Sequence, residues 1–201
     1  MNSLQIIPAI LVLIIGTQFT QAQVGIGTSS PSAELEIVGS DTGIPVLELT
    51  PQSAPTGNTT GQLAVIGDLL YMYDDTRGKW LSVESTTFQF GKNGNTNSQN
   101  LEFGGAMVSG SSGPLMPFDG TIVAITANSS GGTSTKEFQV RVRNGTTNIS
   151  STSFNLSSNI YNNSSLNIDF SAGDYITTRA RDNSDGNVSN PGIVVWIKWR
   201  K

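Results

Sequence analysis

The chain has 201 residues and contains neither cysteine nor histidine, which excludes Cys/His zinc sites, cysteine nucleophiles, histidine-based triads and disulfide bridges. Charged residues make up only 13% of the sequence, and the formal net charge is −4 at pH 7, which argues against a nucleic-acid partner. The 22 glycines and 8 prolines lie between many short apolar stretches. This composition favours an all-β protein over a helical one.

The first 22 residues carry the features of a secretory signal peptide. An apolar run extends from Ile6 to Ile15, whereas a transmembrane helix needs roughly 20 apolar residues. Thr20 and Ala22 supply the small residues of a cleavage site. Cleavage after Ala22 predicts a secreted or cell-surface protein that starts at Gln23 and keeps no membrane span. An uncleaved N-terminal anchor is the alternative, because no Lys or Arg precedes the apolar run.

The glycine pair at Gly25 and Gly27 is not predicted to bind a nucleotide. A dinucleotide-binding fingerprint needs a third glycine where Ser30 stands, and the Gly-Lys-Ser/Thr of a P-loop is absent. We expect the two glycines to permit a tight backbone path instead, followed by a turn that Pro31 fixes.

Residues 23–85 are predicted to form a short β-rich, stalk-like segment. Short strands are expected in AELEIV and GIPVLELT, followed by a loop and then three strands across LAVIGDLLYMYDDTRGKWLSV. The pairs Gly67–Asp68 and Arg77–Gly78 suit tight hairpin turns. The segment has few apolar residues for a core of its own, so we expect it to need partner chains or stacking neighbours.

Residues 86–201 are predicted to form a jelly-roll β-sandwich head. Phe138, Val140 and Val142 alternate with polar or charged residues in KEFQVRVR and are expected to point inward. Further strands are expected in GTIVAITA, in SLNIDF and, after a Gly173–Asp174 turn, over Tyr175–Arg181. The last stretch, GIVVWIKW, is apolar on both faces, which is typical of a central strand or of one pressed against a partner. Some eight strands without an amphipathic helix indicate a jelly roll.

The tryptophans and one arginine pair are the candidates for ligand contacts. Trp196 and Trp199 point to opposite sides of the last strand and can stack on sugars where they are exposed; packing is the alternative. Arg141 and Arg143 share a strand face and suit an anionic glycan or an ion pair at a trimer axis. A solvated outer face is the alternative for this pair. For Trp80, structural packing is favoured over sugar stacking.

The acidic residues predict no catalytic, metal or cofactor site. Asp74 and Asp75 are adjacent on a strand and therefore point apart, which favours a turn with solvated acids. Asp182 and Asp185 lie in RDNSDGN, a stretch that fails the spacing of an EF-hand loop. Asp182 and Asp185 stay candidates for an oxygen-ligand site of another kind than an EF-hand. A polar loop is the other interpretation.

Two longer patterns resemble known families. The N-terminal one is similar to a segment of secreted Bacteroidota proteins and of phage tail-fibre and tailspike-like proteins, although IPVLELT stands where relatives often have LLIPRMT. That resemblance implies an intertwined, trimeric, fibre-like architecture and hence a homotrimer. The C-terminal stretches MPFDGTIVAIT, FSAGDYITTRARD and PGIVVWIKW resemble trimeric jelly-roll heads that are similar to C1q/TNF-like domains. The matching residues are Val24, Gly25, Ile26, Gly27, Thr28, Pro31, Ala33, Leu35, Gly43, Ile44, Gly61, Leu63, Tyr73, Asp74, Gly78 and Trp80, and then Pro117, Gly120, Ile122, Gly173 and Asp174.

These patterns favour an exported, non-enzymatic, fibre-like surface protein whose head mediates adhesion, to glycans or envelope components. A purely structural envelope or matrix component is the first alternative. The second is a tailspike-type carbohydrate-active enzyme, which needs two convergent carboxylates roughly 5 to 9 Å apart. The acids of this chain are sparse and scattered, which favours the first hypothesis over the enzyme.

Overall fold

A computed structural model describes residues 24–26, 28–30, 32–40, 42–107, 112–132, 136–181 and 186–201. The described residues form 19 strands and no helix, so the all-β prediction is confirmed. Within these ranges there is consequently no helix long and apolar enough to cross a membrane. The predicted signal peptide lies outside the described residues.

The chain divides into two compact units, Met1–Thr50 and Pro51–Lys201. In the first unit, β1 (Val24–Ile26) and β2 (Leu35–Ile37) pair in parallel, which confirms the strand predicted in AELEIV. A Cβ on Gly25 would lie 2.5 Å from the Thr28 carbonyl oxygen, so the tight backbone path predicted there is confirmed. Gly27 and Pro31 lie outside the described residues.

The strand predicted in GIPVLELT is wrong, because residues 44–50 have no strand. An extended segment becomes a strand only when a neighbouring strand takes its backbone hydrogen bonds, and alternation in the sequence does not supply that neighbour. The apolar side chains of this stretch stay exposed, at 68% for Ile44, 52% for Val46 and 59% for Leu47.

The second unit begins with the predicted three-stranded antiparallel meander. It consists of β3 (Leu63–Ile66), β4 (Leu69–Asp74) and β5 (Lys79–Ser82). The two predicted hairpin turns are present, and each uses a glycine at positive φ, Gly67 and Gly78. Trp80 is buried with Ala64, Ile66 and Tyr71 and donates to the Pro55 carbonyl oxygen, so its packing role is confirmed.

Two sheets build the predicted sandwich. Its strands, with those of a smaller sheet, are β6 (Thr86–Gly91), β7 (Asn95–Thr96), β8 (Gln99–Asn100), β9 (Glu102–Phe103), β10 (Ala106–Met107), β11 (Gly120–Asn128), β12 (Gly131–Gly132), β13 (Glu137–Asn144), β14 (Thr147–Asn155), β15 (Ile160–Asn163), β16 (Ile168–Phe170), β17 (Tyr175–Arg181), β18 (Val188–Ser189) and β19 (Gly192–Trp199). We call β10-β9-β6-β19-β11-β15, with β16 also on β11, the Trp sheet, and β14-β13-β17-β8 the Arg sheet. In the Trp sheet β6 pairs with β19, and in the Arg sheet β8 pairs with β17, which is jelly-roll pairing. The short strands β12, β18 and β7 form a third sheet.

The core lies between the Trp sheet and the Arg sheet. Phe138, Val140 and Val142 on β13 are buried, as their alternation predicted. The last strand, β19, lies centrally between β6 and β11, so the prediction from its two apolar faces is confirmed. Its inward residues Ile193, Val195 and Ile197 are buried, and the outward Trp196 is 39% exposed.

The meander belongs to the same compact unit as the sandwich, whereas the sequence predicted that a stalk-like segment ends at residue 85. Arg77 makes one of the connections between the meander and the sandwich. Its Nε donates to the Leu166 carbonyl oxygen at 2.7 Å, and its Nη2 donates to those of Ser164 at 3.1 Å and Val123 at 3.4 Å. Its Nη1 lies 2.6 Å from Asp74 Oδ2. One guanidinium thus joins a meander turn to sandwich backbone.

A second ion pair completes this connection. The ammonium group of Lys79 on β5 lies 2.7 Å from Asp169 Oδ1 on β16. Asp169 also accepts from the buried Thr121 hydroxyl at 2.7 Å. We call the four charged residues Asp74, Arg77, Lys79 and Asp169 the latch.

The two latch carboxyls have lowered pKa values. Burial alone would raise the pKa of Asp74, but hydrogen bonds and positive charge from Arg77 outweigh it. Burial likewise opposes the shift at Asp169, where hydrogen bonds from Lys79 and Thr121 and the charges of Arg200 and Lys79 lower the pKa. The latch therefore requires both carboxyls to be ionised.

We predict that Arg77→Ala lowers the free energy of unfolding by about 2 kcal/mol, because it removes charge-assisted hydrogen bonds and leaves backbone carbonyls without donors. Arg77→Lys should lower the free energy of unfolding less, by about 1 kcal/mol. An ammonium group keeps the charge but lacks the planar array of donors that lets a guanidinium reach several acceptors together. Urea denaturation of both variants measures this. An unchanged midpoint for Arg77→Ala would contradict the role of the latch.

Acid should release the latch. The folded pKa values are lowered, so this stabilisation is present above the unfolded pKa of about 3.9 and is lost as the pH falls through the folded values. We expect the melting temperature to decrease once the pH is below about 4. The decrease should be smaller in Asp169→Asn, because this variant lacks one of the two carboxylates whose ionisation stabilises the fold. Thermal unfolding of the parent and the variant across this range tests the idea. Parallel pH profiles would contradict it.

Candidate functional site

The arginine pair predicted from the sequence lies on the outward side of the Arg sheet. Arg141 and Arg143 project from β13, and the antiparallel neighbour β17 adds Arg179 and Arg181. In the strand register Arg181 lies opposite Glu137, so the four arginines occupy the same outward side as this residue. We call these four residues the arginine face.

Local contacts hold each guanidinium in place. Arg141 Nη2 donates to Asn100 Oδ1 at 2.5 Å, and Arg143 Nη2 donates to the Thr146 carbonyl oxygen at 2.7 Å. Arg179 Nε donates to the Ser98 carbonyl oxygen at 2.8 Å. An arginine has five N–H donors, so these contacts leave most of the donors of each guanidinium unused.

The arginine face carries little compensating negative charge. Arg181 lies 3.5 Å from Glu137, which is the one ion pair formed by these four arginines within the described residues. Glu137 is 7% exposed, although it lies on the outward side of β13. One carboxylate among four guanidinium groups leaves the face strongly positive on a protein of net charge −4.

The positive charges perturb one another. Burial is the largest cause that lowers the pKa of Arg141, followed by the charges of Arg143, Arg179 and Arg181. Burial and then the charge of Arg181 lower the pKa of Arg179. The buried Nε atoms of Arg141, Arg143 and Arg181 also have no hydrogen-bond acceptor among the described residues. An anion bound to the exposed part of this face would relieve the repulsion.

The two tryptophans that the sequence suggested as ligand contacts line separate clefts. Trp196 points out from the Trp sheet and lines a cleft of about 290 Å³ with Lys198. Trp199 is partly buried and packs edge-on against Phe170 at 6.3 Å and Phe118 at 5.7 Å between ring centroids. It also lines a larger cleft, so packing and exposure are combined in this residue.

Of the remaining acidic candidates, the structure describes Asp74 and Asp75. Asp74 belongs to the latch, and the backbone N–H of Asp75 donates to Thr60 Oγ1. Asp182 and Asp185 lie outside the described residues. In the described part of the chain, no cluster of three or more Asp or Glu residues is arranged to hold a metal ion.

Sequence reasoning missed half of the arginine face. Arg179 and Arg181 have the same i, i+2 spacing as Arg141 and Arg143, and this spacing places both members of each pair on one side of a strand. The spacing of both arginine pairs could be read from the sequence. The pairing of β13 with β17 could not, because it joins segments that are distant in the chain.

Comparisons with known proteins add little to this geometry. No protein-family model matches the chain, and no curated protein matches it. Among solved structures, PRD1 vertex protein P5 is similar with 13% sequence identity and a TM-score of 0.36, over 89% of this chain and 100% of that chain. Likeness at this level carries no argument about function.

Proposed function

We propose that this chain is an exported, non-enzymatic surface protein whose β-sandwich head binds an acidic glycan through the arginine face. The observation that carries the proposal is the set of four guanidinium groups on one sheet face with one paired carboxylate. Guanidinium groups bind carboxylates and sulfates through paired hydrogen bonds, and they keep their charge at any physiological pH.

A linear polyanion fits this face better than a single small anion. Residues two apart on a strand lie about 6.6 Å from each other, so β13 and β17 present spaced positive charges rather than one pocket. A polymer with a repeating negative charge can contact several of them together. Ser151 and Ser153 on the neighbouring β14 continue this surface with polar side chains, so a bound polymer would meet little apolar area.

The predicted export and fibre-like assembly fit this role. The signal-peptide features of residues 1–22 support export. In the unit Met1–Thr50 the side chains of Val24, Ile26 and Leu35 are more than half exposed, at 54%, 55% and 58%. Two strands of this length are not stable alone in water. Partner copies that cover these side chains, as in the trimeric fibres that the segment resembles, would stabilise them.

The alternatives have less support. A tailspike-type enzyme needs a general acid with a raised pKa, whereas the shifted carboxyls Asp74 and Asp169 have lowered values and belong to the latch. A purely structural component has no need for four mutually repelling guanidinium groups on one face. Adhesion uses them.

We predict that the protein binds an anionic polysaccharide such as alginate or dextran sulfate, and that salt weakens the binding by screening. Arg143→Gln and Arg179→Gln should each weaken it about threefold, since each removes one exposed ion-pair partner. Lys198→Gln is the matched control, because it changes the net charge equally but lies on the Trp sheet. Surface plasmon resonance on immobilised polymer measures the three variants. Equal losses in all three would show that net charge acts, not the arginine face.

We also predict that the protein from Gln23 to Lys201 is a homotrimer in solution. Light scattering coupled to size exclusion gives its mass. Substituting serine for Ile26 and Leu35 should shift the mass towards the monomer, because both are apolar and exposed in the isolated chain. The matched control is serine for the exposed Ile149 in the sandwich, which should leave the mass unchanged. A monomeric parent protein would contradict the fibre-like assembly.

A further inference from the structure

A second cleft in the unit Pro51–Lys201 shares no residue with the arginine face. Its volume is about 640 Å³, which lies within the range of about 300–1,000 Å³ that is usual for small-molecule sites. One wall is the β3–β4 hairpin, with Leu69 and Tyr71. The other wall holds Phe118 and the end of β19 at Trp199. We call it the Phe118 cleft.

An aromatic pair lines the wall of the cleft that lies opposite the β3–β4 hairpin. The Phe118 and Trp199 rings meet at an interplanar angle of 84°, so the edge of one ring meets the face of the other. Phe118 is 59% exposed although it is a large apolar residue. Trp199 is in turn fixed edge-on against the buried Phe170. An exposed ring on a fixed partner offers a rigid apolar surface to a ligand.

Both signs of charge line the rim of the cleft. Asp68 and Asp119 supply carboxylates, and Arg200 and Lys201 supply cations. This balance favours neither an anion nor a cation, because each would meet a like charge nearby. A ligand with hydroxyl groups satisfies both sets, since a hydroxyl donates to a carboxylate and accepts from a guanidinium.

The rim groups keep free hydrogen-bonding capacity. Asp119 Oδ1 accepts from the Ala172 N–H at 2.9 Å, but Oδ2 is 4.0 Å from Arg200 Nη2, which is too long for a hydrogen bond. Arg200 Nη2 donates to the Phe170 carbonyl oxygen at 3.1 Å, and its buried Nε lies 3.8 Å from Asp169 Oδ1. These contacts leave Nη1 of Arg200 without a hydrogen bond among the described residues. Fixed groups with unused donors and acceptors are what a polar ligand requires.

We propose that the Phe118 cleft binds a neutral hexopyranose unit. The apolar C–H face of the sugar packs on Phe118, and its hydroxyl groups bond to Asp119 and Arg200. The site is separate from the proposed acidic-glycan surface and does not depend on it. Unlike that surface, it binds an uncharged ligand, so its affinity does not fall with salt.

Saturation-transfer difference NMR tests this on the purified protein with the methyl glycosides of glucose, galactose and mannose. We expect transfer to the ring C–H protons of at least one glycoside at both low and high salt. Phe118→Ala should weaken this binding roughly threefold to tenfold, the range expected for one aromatic contact. Asp119→Asn should weaken it also, by replacing an ionic acceptor.

Matched variants separate this site from others. Trp196→Ala removes an exposed aromatic residue at a different cleft and should leave glycoside binding unchanged, as should Arg179→Gln. Phe118 is exposed, so its removal should leave the unfolding midpoint near the parent value. No transfer to any of the three glycosides would overturn the proposal. Binding that survives Phe118→Ala and Asp119→Asn, or that salt abolishes, would overturn it too.

Discussion

Burial of alternate residues against one core is the constraint on which both proposed binding surfaces depend. On β13 the buried Phe138, Val140 and Val142 fix the register with β17, where Ile176 and Ala180 are buried. A slip by one residue would turn the apolar side chains outward, so the register is strongly specified. Each arginine of the face follows or precedes one of these buried residues and must therefore point outward.

The same constraint sets the aromatic residues of β19. Ile193, Val195 and Ile197 enter the core, so Trp196 faces away from it. Trp199 continues the inward row, but it is the last residue of the strand. It therefore packs on Phe170 and still reaches a cleft. Position along the strand, and not residue type, gives the two tryptophans different surroundings.

The sequence predicted the strands far better than it predicted how they meet. Alternation located β13, a run that is apolar on both faces located β19, and turn residues located β17 and the meander, because these signals are local. The attachment of the meander to the sandwich was not predicted. Arg77 donates to the backbone carbonyl oxygens of Leu166, Ser164 and Val123. Every residue type has such a carbonyl, so the sequence does not identify these acceptors. The failed strand in GIPVLELT has the same cause, because a strand requires a partner that local alternation does not reveal.

On the arginine face, stability and the proposed binding make opposite demands. The four guanidinium groups repel one another, and the buried Nε atoms of Arg141, Arg143 and Arg181 have no acceptor among the described residues. Both features oppose the stability of the unliganded fold. Replacing the arginines with neutral residues would relieve the repulsion, so their presence points to a demand other than folding. Under the proposed function, an anion bound to the folded state would reduce the repulsion and stabilise that state in proportion to its occupancy. The register of β13 and β17, which places the four charges on one side, would then account for both the repulsion and the affinity.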